Sequence, residues 1–151
     1  MKKFALLLLM VSIAVLDSSC DKCRNIECFT PPNEFRFQLL DKDSGEDLVA
    51  NGTFSADEIS VFSIADNEKH DLEFSTDGID YIFADFEIGW KTGTDNTNYE
   101  LRLNAETALP FTYESREKNG DCCTFFEFVQ FEIVGAERLF ISQSNVFQLR
   151  L

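Results

Sequence analysis

Glu34-Phe35-Arg36-Phe37-Gln38-Leu39 alternates polar residues at 34, 36 and 38 with apolar residues at 35, 37 and 39. That is the period of a half-buried β-strand, whose side chains point to opposite faces in turn. Asp41-Lys42-Asp43-Ser44-Gly45 follows as a turn cluster. The same period of two returns in Leu72/Phe74, Tyr99/Leu101/Leu103 and Phe147/Leu149/Leu151. Strands are therefore expected over 59–65, 70–75, 79–88, 99–105, 111–115, 122–134 and 146–151, with Asn119-Gly120 as a hairpin turn between Tyr113 and Thr124. Only Ser55 to Glu58 reads as a helical start, and it gives way to the β-branched run at Ile59. About seven to nine strands at regular spacing predict an all-β fold, an antiparallel β-sandwich, with a small β-barrel as the alternative. Phe125 to Ile133 is apolar on both faces, which predicts a central strand. Sixteen phenylalanines fit a strand-rich chain, because pleated faces pack aromatic rings well.

The stretch from Phe35 to Leu48, a strand, the turn Asp41-Lys42-Asp43-Ser44-Gly45-Glu46 and a hydrophobic return, resembles the first hairpin of transthyretin-like domains, among them carboxypeptidase regulatory-type modules. The resemblance implies a Greek-key sandwich of the transthyretin or immunoglobulin kind and no activity of its own.

The chain opens Met1-Lys2-Lys3, runs apolar from Phe4 to Leu16, and reaches Asp17-Ser18-Ser19-Cys20. Two lysines, a short apolar run and small residues form a secretory signal peptide, and the run is short for a transmembrane helix. Leu16-Asp17-Ser18-Ser19-Cys20 resembles the lipobox of bacterial lipoproteins, although Asp17 stands where that family prefers an aliphatic residue. The resemblance implies cleavage before Cys20, a thioether-linked diacylglycerol on it and acylation of the new amino terminus. The whole layout also resembles the small lipoproteins of Bacteroidetes, which implies the cell envelope, with the outer membrane as the expected location and the domain facing the periplasm or the surface. The expected organisation is a signal peptide at 1–19, a tether at 20–33 stiffened by Pro31-Pro32, and one sandwich domain at 34–151.

Net charge is −14, and −15 without residues 1–19. A polyanion is repelled by nucleic acid and by anionic lipid, so nucleic acid is excluded as a partner and a lipid rather than a basic patch must supply any anchor. Cys23, Cys28, Cys122 and Cys123 remain after cleavage. An oxidising compartment makes disulfides the expected state, with Cys23 and Cys28 each crossing to one of Cys122 and Cys123. The alternative is a four-cysteine zinc site, against which Cys-x4-Cys is a loose spacing and adjacent cysteines rarely ligate one metal.

His70, the single histidine, stands beside Asp71. No nucleophile motif such as G-x-S-x-G accompanies it, so an exposed strand histidine is expected and no catalytic residue is named. Asp41, Asp43, Glu46 and Asp47 read as a solvated turn rather than a calcium loop, because Gly45 falls where a side-chain ligand belongs. Trp90 reads as a core cap, the other reading being a stacking platform for a sugar. Asn51-Gly52-Thr53 fits the glycosylation pattern but reads as a turn. Together these predict a non-enzymatic, lipid-anchored envelope protein that binds a glycan or an envelope protein, with no cofactor and no metal. The alternatives are a lipocalin-like carrier of an apolar ligand and a structural subunit of an envelope complex.

Overall fold

The structure, a computed structural model, describes residues 29–77, 80–90, 97–120 and 123–151. The expected signal peptide and Cys20, Cys23, Cys28 and Cys122 lie outside them. Among the described residues eleven strands form: β1 Phe29–Thr30, β2 Phe35–Leu40, β3 Ser60–Ser63, β4 Lys69–His70, β5 Glu73–Asp77, β6 Asp80–Asp85, β7 Asn98–Arg102, β8 Ala108–Asn119, β9 Thr124–Ile133, β10 Glu137–Ile141 and β11 Val146–Arg150. They lie in two sheets, ordered β1-β9-β8-β7-β3-β4 and β10-β11-β2-β6-β5. Both sheets are open, so the chain is a β-sandwich and the barrel alternative is set aside. The ladders are not all antiparallel: β11 runs parallel to β2, and β1 parallel to β9.

The alternation in β2 does what its period requires. Phe35, Phe37 and Leu39 are fully buried between the sheets. Gln38, on the other face, is covered as well, because its side-chain amide donates to Asp47 Oδ2 at 3.1 Å. After β2 the chain turns through Asp41, whose Oδ1 accepts the N–H groups of Asp43 and Ser44 at 3.1 and 2.7 Å, while Gly45 takes the left-handed φ of 73°. Asp47 then accepts from the backbone of Val49, Ala50 and Tyr81. Asp41 thus serves its own turn, while Asp47 also ties the loop to β2 and β6. Asn51 does likewise, taking the N–H of Thr53 at 3.0 Å, and Ser55 to Glu58 makes a turn rather than a helix.

β1 falls within the segment expected to be a tether. It pairs Phe29 with Thr124 and Thr30 with Phe125, and stops there because Pro31 and Pro32 have no N–H to continue a ladder.

β9 departs from its expected place. It is next to the edge, covered only by β1 at its first two residues, and most of its side chains are exposed. The two-faced apolar pattern comes from a register shift. Glu114 pairs with Gln130 and Ser115 with Phe128, so Val129 is an extra residue in a β-bulge. A bulge reverses the phase of the pleat. Phe131 points inward before it, and Phe128 and Phe126 point to the same side beyond it. β8 and β9 run on past the end of β7 at Thr112 as an arm, joined by β1 at its tip, whose inward side carries Ser115 and Glu117 opposite Phe128 and Phe126.

Candidate interaction site

The arm ends where the chain joins the folded domain. Beneath its inward side lies a short 3-10 turn, Ile88–Trp90, held from three directions. Ser115 Oγ donates to the Gly89 carbonyl. Asp85 Oδ1 accepts the N–H groups of Glu87 and Ile88 at 2.7 and 3.0 Å and so caps the turn. Pro32 closes over Gly89 so tightly that a Cβ there would stand 2.6 Å from the proline Cβ, a space that only glycine leaves open. Next to Pro32, the Asn33 carbonyl accepts from Tyr113 Oη at 3.2 Å.

This scaffold sets Trp90 edge-on to Phe126, ring centroids 5.3 Å apart. Trp90 is 45% exposed, which corrects the expectation of a core cap. Phe128 continues the row inward, touching Tyr113 and Phe147, and Phe140 meets Phe147 from the other side at 4.8 Å. Phe125 lies on the outward side of the arm, opposite Lys118. An open groove of about 480 Å³ runs along this end, lined by Asn33, Lys118 and residues Phe125 to Phe128. Its charged rim is balanced: Lys118 pairs with Glu127 at 3.2 Å and Arg116 with Glu114 at 3.3 Å. Cys123, at the arm's tip, is disulfide-bonded, to a partner outside the described residues.

The interior holds a second polar constellation, absent from the expectations. His70, expected on the surface, is 1% exposed, and its neighbour is not Asp71 but the fully buried Asp85 on the opposite sheet. Nδ1 lies 3.0 Å from Asp85 Oδ2, although the ring N–H is not aligned on that oxygen. Tyr99 stands edge-on to the imidazole, centroids 5.5 Å apart. A groove of about 220 Å³ borders β4, but the enclosed imidazole offers it no exposed nitrogen. The pair therefore lies enclosed between the sheets. Among the described residues, no three His, Cys, Asp or Glu side chains converge as metal ligands.

Tyr99 and Tyr113 share this interior. Burial, and after it the nearby charge of Asp85, pushes both phenols far above their ordinary value of 10.0. Below about pH 10 both folded and unfolded chains keep these protons, so stability is unaffected. Above it the unfolded chain ionises and the folded chain does not. Stability then falls with rising pH by about 1.4 kcal/mol per pH unit for each tyrosine. An alkaline titration should show the phenolate absorbance of these two residues appearing together with the loss of the β-sheet circular dichroism signal. Full phenolate absorbance at intact circular dichroism would contradict it.

Compared with known families, with curated proteins and with solved structures, the chain shows no match.

Proposed function

We propose that this chain is a non-enzymatic, lipid-anchored interaction module of the bacterial cell envelope. One observation carries the reading: the exposed aromatics Trp90, Phe125 and Phe128 gather at the end of the sandwich where residues 1–28 join it. Rings exposed in a cluster mark contact surfaces, whereas rings exposed singly, as Phe74 is on β5, do not. The anchor on this reading is Cys20, acylated after removal of 1–19, and acyl chains contribute about 0.8 kcal/mol per buried methylene. The expected location is the outer membrane, with the domain in the periplasm or on the surface, and a glycan or envelope protein as the soluble partner.

The parallel ladder also suggests how the tether is fastened. Phe29 stands level with Thr124 and Thr30 with Phe125, and Cys28 and Cys123 are the residues immediately before each strand. On this reading Cys28 is the disulfide partner of Cys123. A contact module is favoured over a carrier by the filled interior. Phe35, Phe37, Phe83, Phe111 and Phe131 pack ring on ring between the sheets, where a carrier needs a cavity. An enzyme is disfavoured because the single histidine is enclosed.

The test is mass spectrometry, without reduction, of protein taken from cell membranes. The expected spectrum has an acylated Cys20 as the first residue and a peptide containing Cys28 joined to one containing Cys123. Cys20→Ala should move the protein into the soluble fraction. A wild-type chain found soluble, with an unmodified Cys20, would overturn the proposal.

A further inference from the structure

We propose that the aromatic end of the arm rests on the lipid bilayer itself, with Trp90, Phe125, Phe126 and Phe128 at the boundary between headgroups and acyl chains. This deepens the function proposed above and rests on its reading that residues before Phe29 hold the chain to a membrane.

Four observations lead there. The chain outside the described residues carries the apolar run Phe4 to Leu16 and Cys20, and it joins the fold at Phe29, laid directly against Thr124 at the arm's tip. An extended chain covers at most ~3.6 Å per residue, so whatever holds Cys20 lies within about 30 Å of that tip. Trp90, Phe125 and Phe128 are 45, 41 and 38% exposed, while the phenylalanines of the interior are covered. Tryptophan is a ring type that settles at membrane interfaces, keeping its polar N–H at headgroup level, and the phenylalanines beside it add apolar surface.

Charge selects the depth and the lipid. A chain of net charge −15 without residues 1–19 is repelled by an anionic surface, so the contact must be made by the rings. Arg116 and Lys118 offset Glu114 and Glu127 at the arm, which reduces the repulsion locally. Glu117, opposite Phe126, keeps the tip from entering the hydrocarbon, where a carboxylate is costly. The geometry then orients the domain. β2 starts at this end and leads away from it to the Asp41 turn, whose neighbour Lys42 donates its backbone N–H to the Leu151 carbonyl at 2.9 Å. The acidic loop at 41–47 and the end of β11 therefore face away from the membrane, available to a soluble partner.

Trp90 is the only tryptophan, so its emission reports this end alone. The full chain, processed by a bacterial host, is reconstituted into phosphatidylcholine vesicles with plain or brominated acyl chains. The expected result is a blue-shifted Trp90 emission, strongly quenched by the brominated lipid and protected from acrylamide relative to the protein in detergent. If the protein stays with the vesicles while Trp90 is neither shifted nor quenched, the bilayer contact is overturned and the anchor stands. Should a soluble peptidoglycan digest then perturb that unquenched emission, the occupant is a glycan and the bilayer contact is overturned in its favour. A chain that does not stay with the vesicles overturns the anchor and the contact together.

Discussion

Replacing Asp85 with alanine is expected to lower the unfolding free energy by about 3–5 kcal/mol, because two backbone N–H groups lose their buried acceptor, at ~1–3 kcal/mol each, and a hole opens in the interior. The carboxylate does two jobs, one with each oxygen. Oδ1 caps the 3-10 turn through the N–H groups of Glu87 and Ile88, and Oδ2 faces the His70 imidazole across the sandwich. Alanine leaves those two N–H groups without their acceptor and removes the carboxylate that faces the imidazole, and water cannot compensate at a position that is fully enclosed. Asp85→Asn separates the two roles. It keeps an oxygen for the cap and removes the charge opposite the imidazole, so it should cost less than alanine. Substituting His70 should then cost less in the Asp85→Asn background than in the wild type, a coupling read by a double-mutant cycle in urea. An alanine variant within about 1 kcal/mol of the wild type would show that the interior relaxes around the loss. The consequence extends to the surface, since the turn that Asp85 caps is the one that presents Trp90. In the alanine variant the tryptophan emission should change before global unfolding.

How much of this is legible in the sequence depends on whether the information is local. The period of two in β2 is enough to place Phe35, Phe37 and Leu39 in the interior, and the Asp41 and Asn51 turns follow from side chains that bond two or three residues away. The pattern of β9 misplaces that strand because its phase reverses at Val129, where no glycine or proline announces a bulge. The strand Glu137–Ile141 has no signature at all. It is an edge strand, four of its five side chains are exposed, and so its sequence carries no inward-outward alternation. The charged neighbours Lys69 and Asp71 make His70 look exposed. Its true environment comes from Asp85, on the opposite sheet, which no local pattern contains. The habit of its residue type assigns Trp90 to the core. Its position is instead decided by Pro32 over Gly89 and by Ser115 on the Gly89 carbonyl, contacts that exist only once both sheets are assembled. The aromatic end is thus legible as composition, an excess of phenylalanine, but its location requires the bulge and the turn.

Phe35→Ala is the second substitution expected to be severe, again at about 3–5 kcal/mol, the usual cost of deleting a fully buried phenyl ring. The ring belongs to β2 in one sheet and reaches across to the other. Its centroid lies 5.2 Å from Phe111 and 5.3 Å from Tyr113 on β8, 5.1 Å from Phe131 on β9, and 5.3 Å from Phe37 on its own strand. Deleting it therefore removes aromatic contacts to both sheets and leaves a hole whose walls are rings from several strands, each fixed by its own neighbours. Such walls do not collapse easily, so the cavity part of the penalty should be retained along with the transfer part. The thermal midpoint should fall on the order of 10–20 °C, by the scaling for a domain of this size. Phe74→Ala is the control: its ring also meets an interior phenylalanine, Phe83, tilted at 4.9 Å, but it is 42% exposed on the outer strand β5. It forfeits less buried surface and opens no enclosed hole, so its cost should be well under half. Equal losses at the two positions would mean that stability follows aromatic contact as such. A large difference ties it to the enclosed meeting of the two sheets, and so to the frame from which the β8–β9 arm projects.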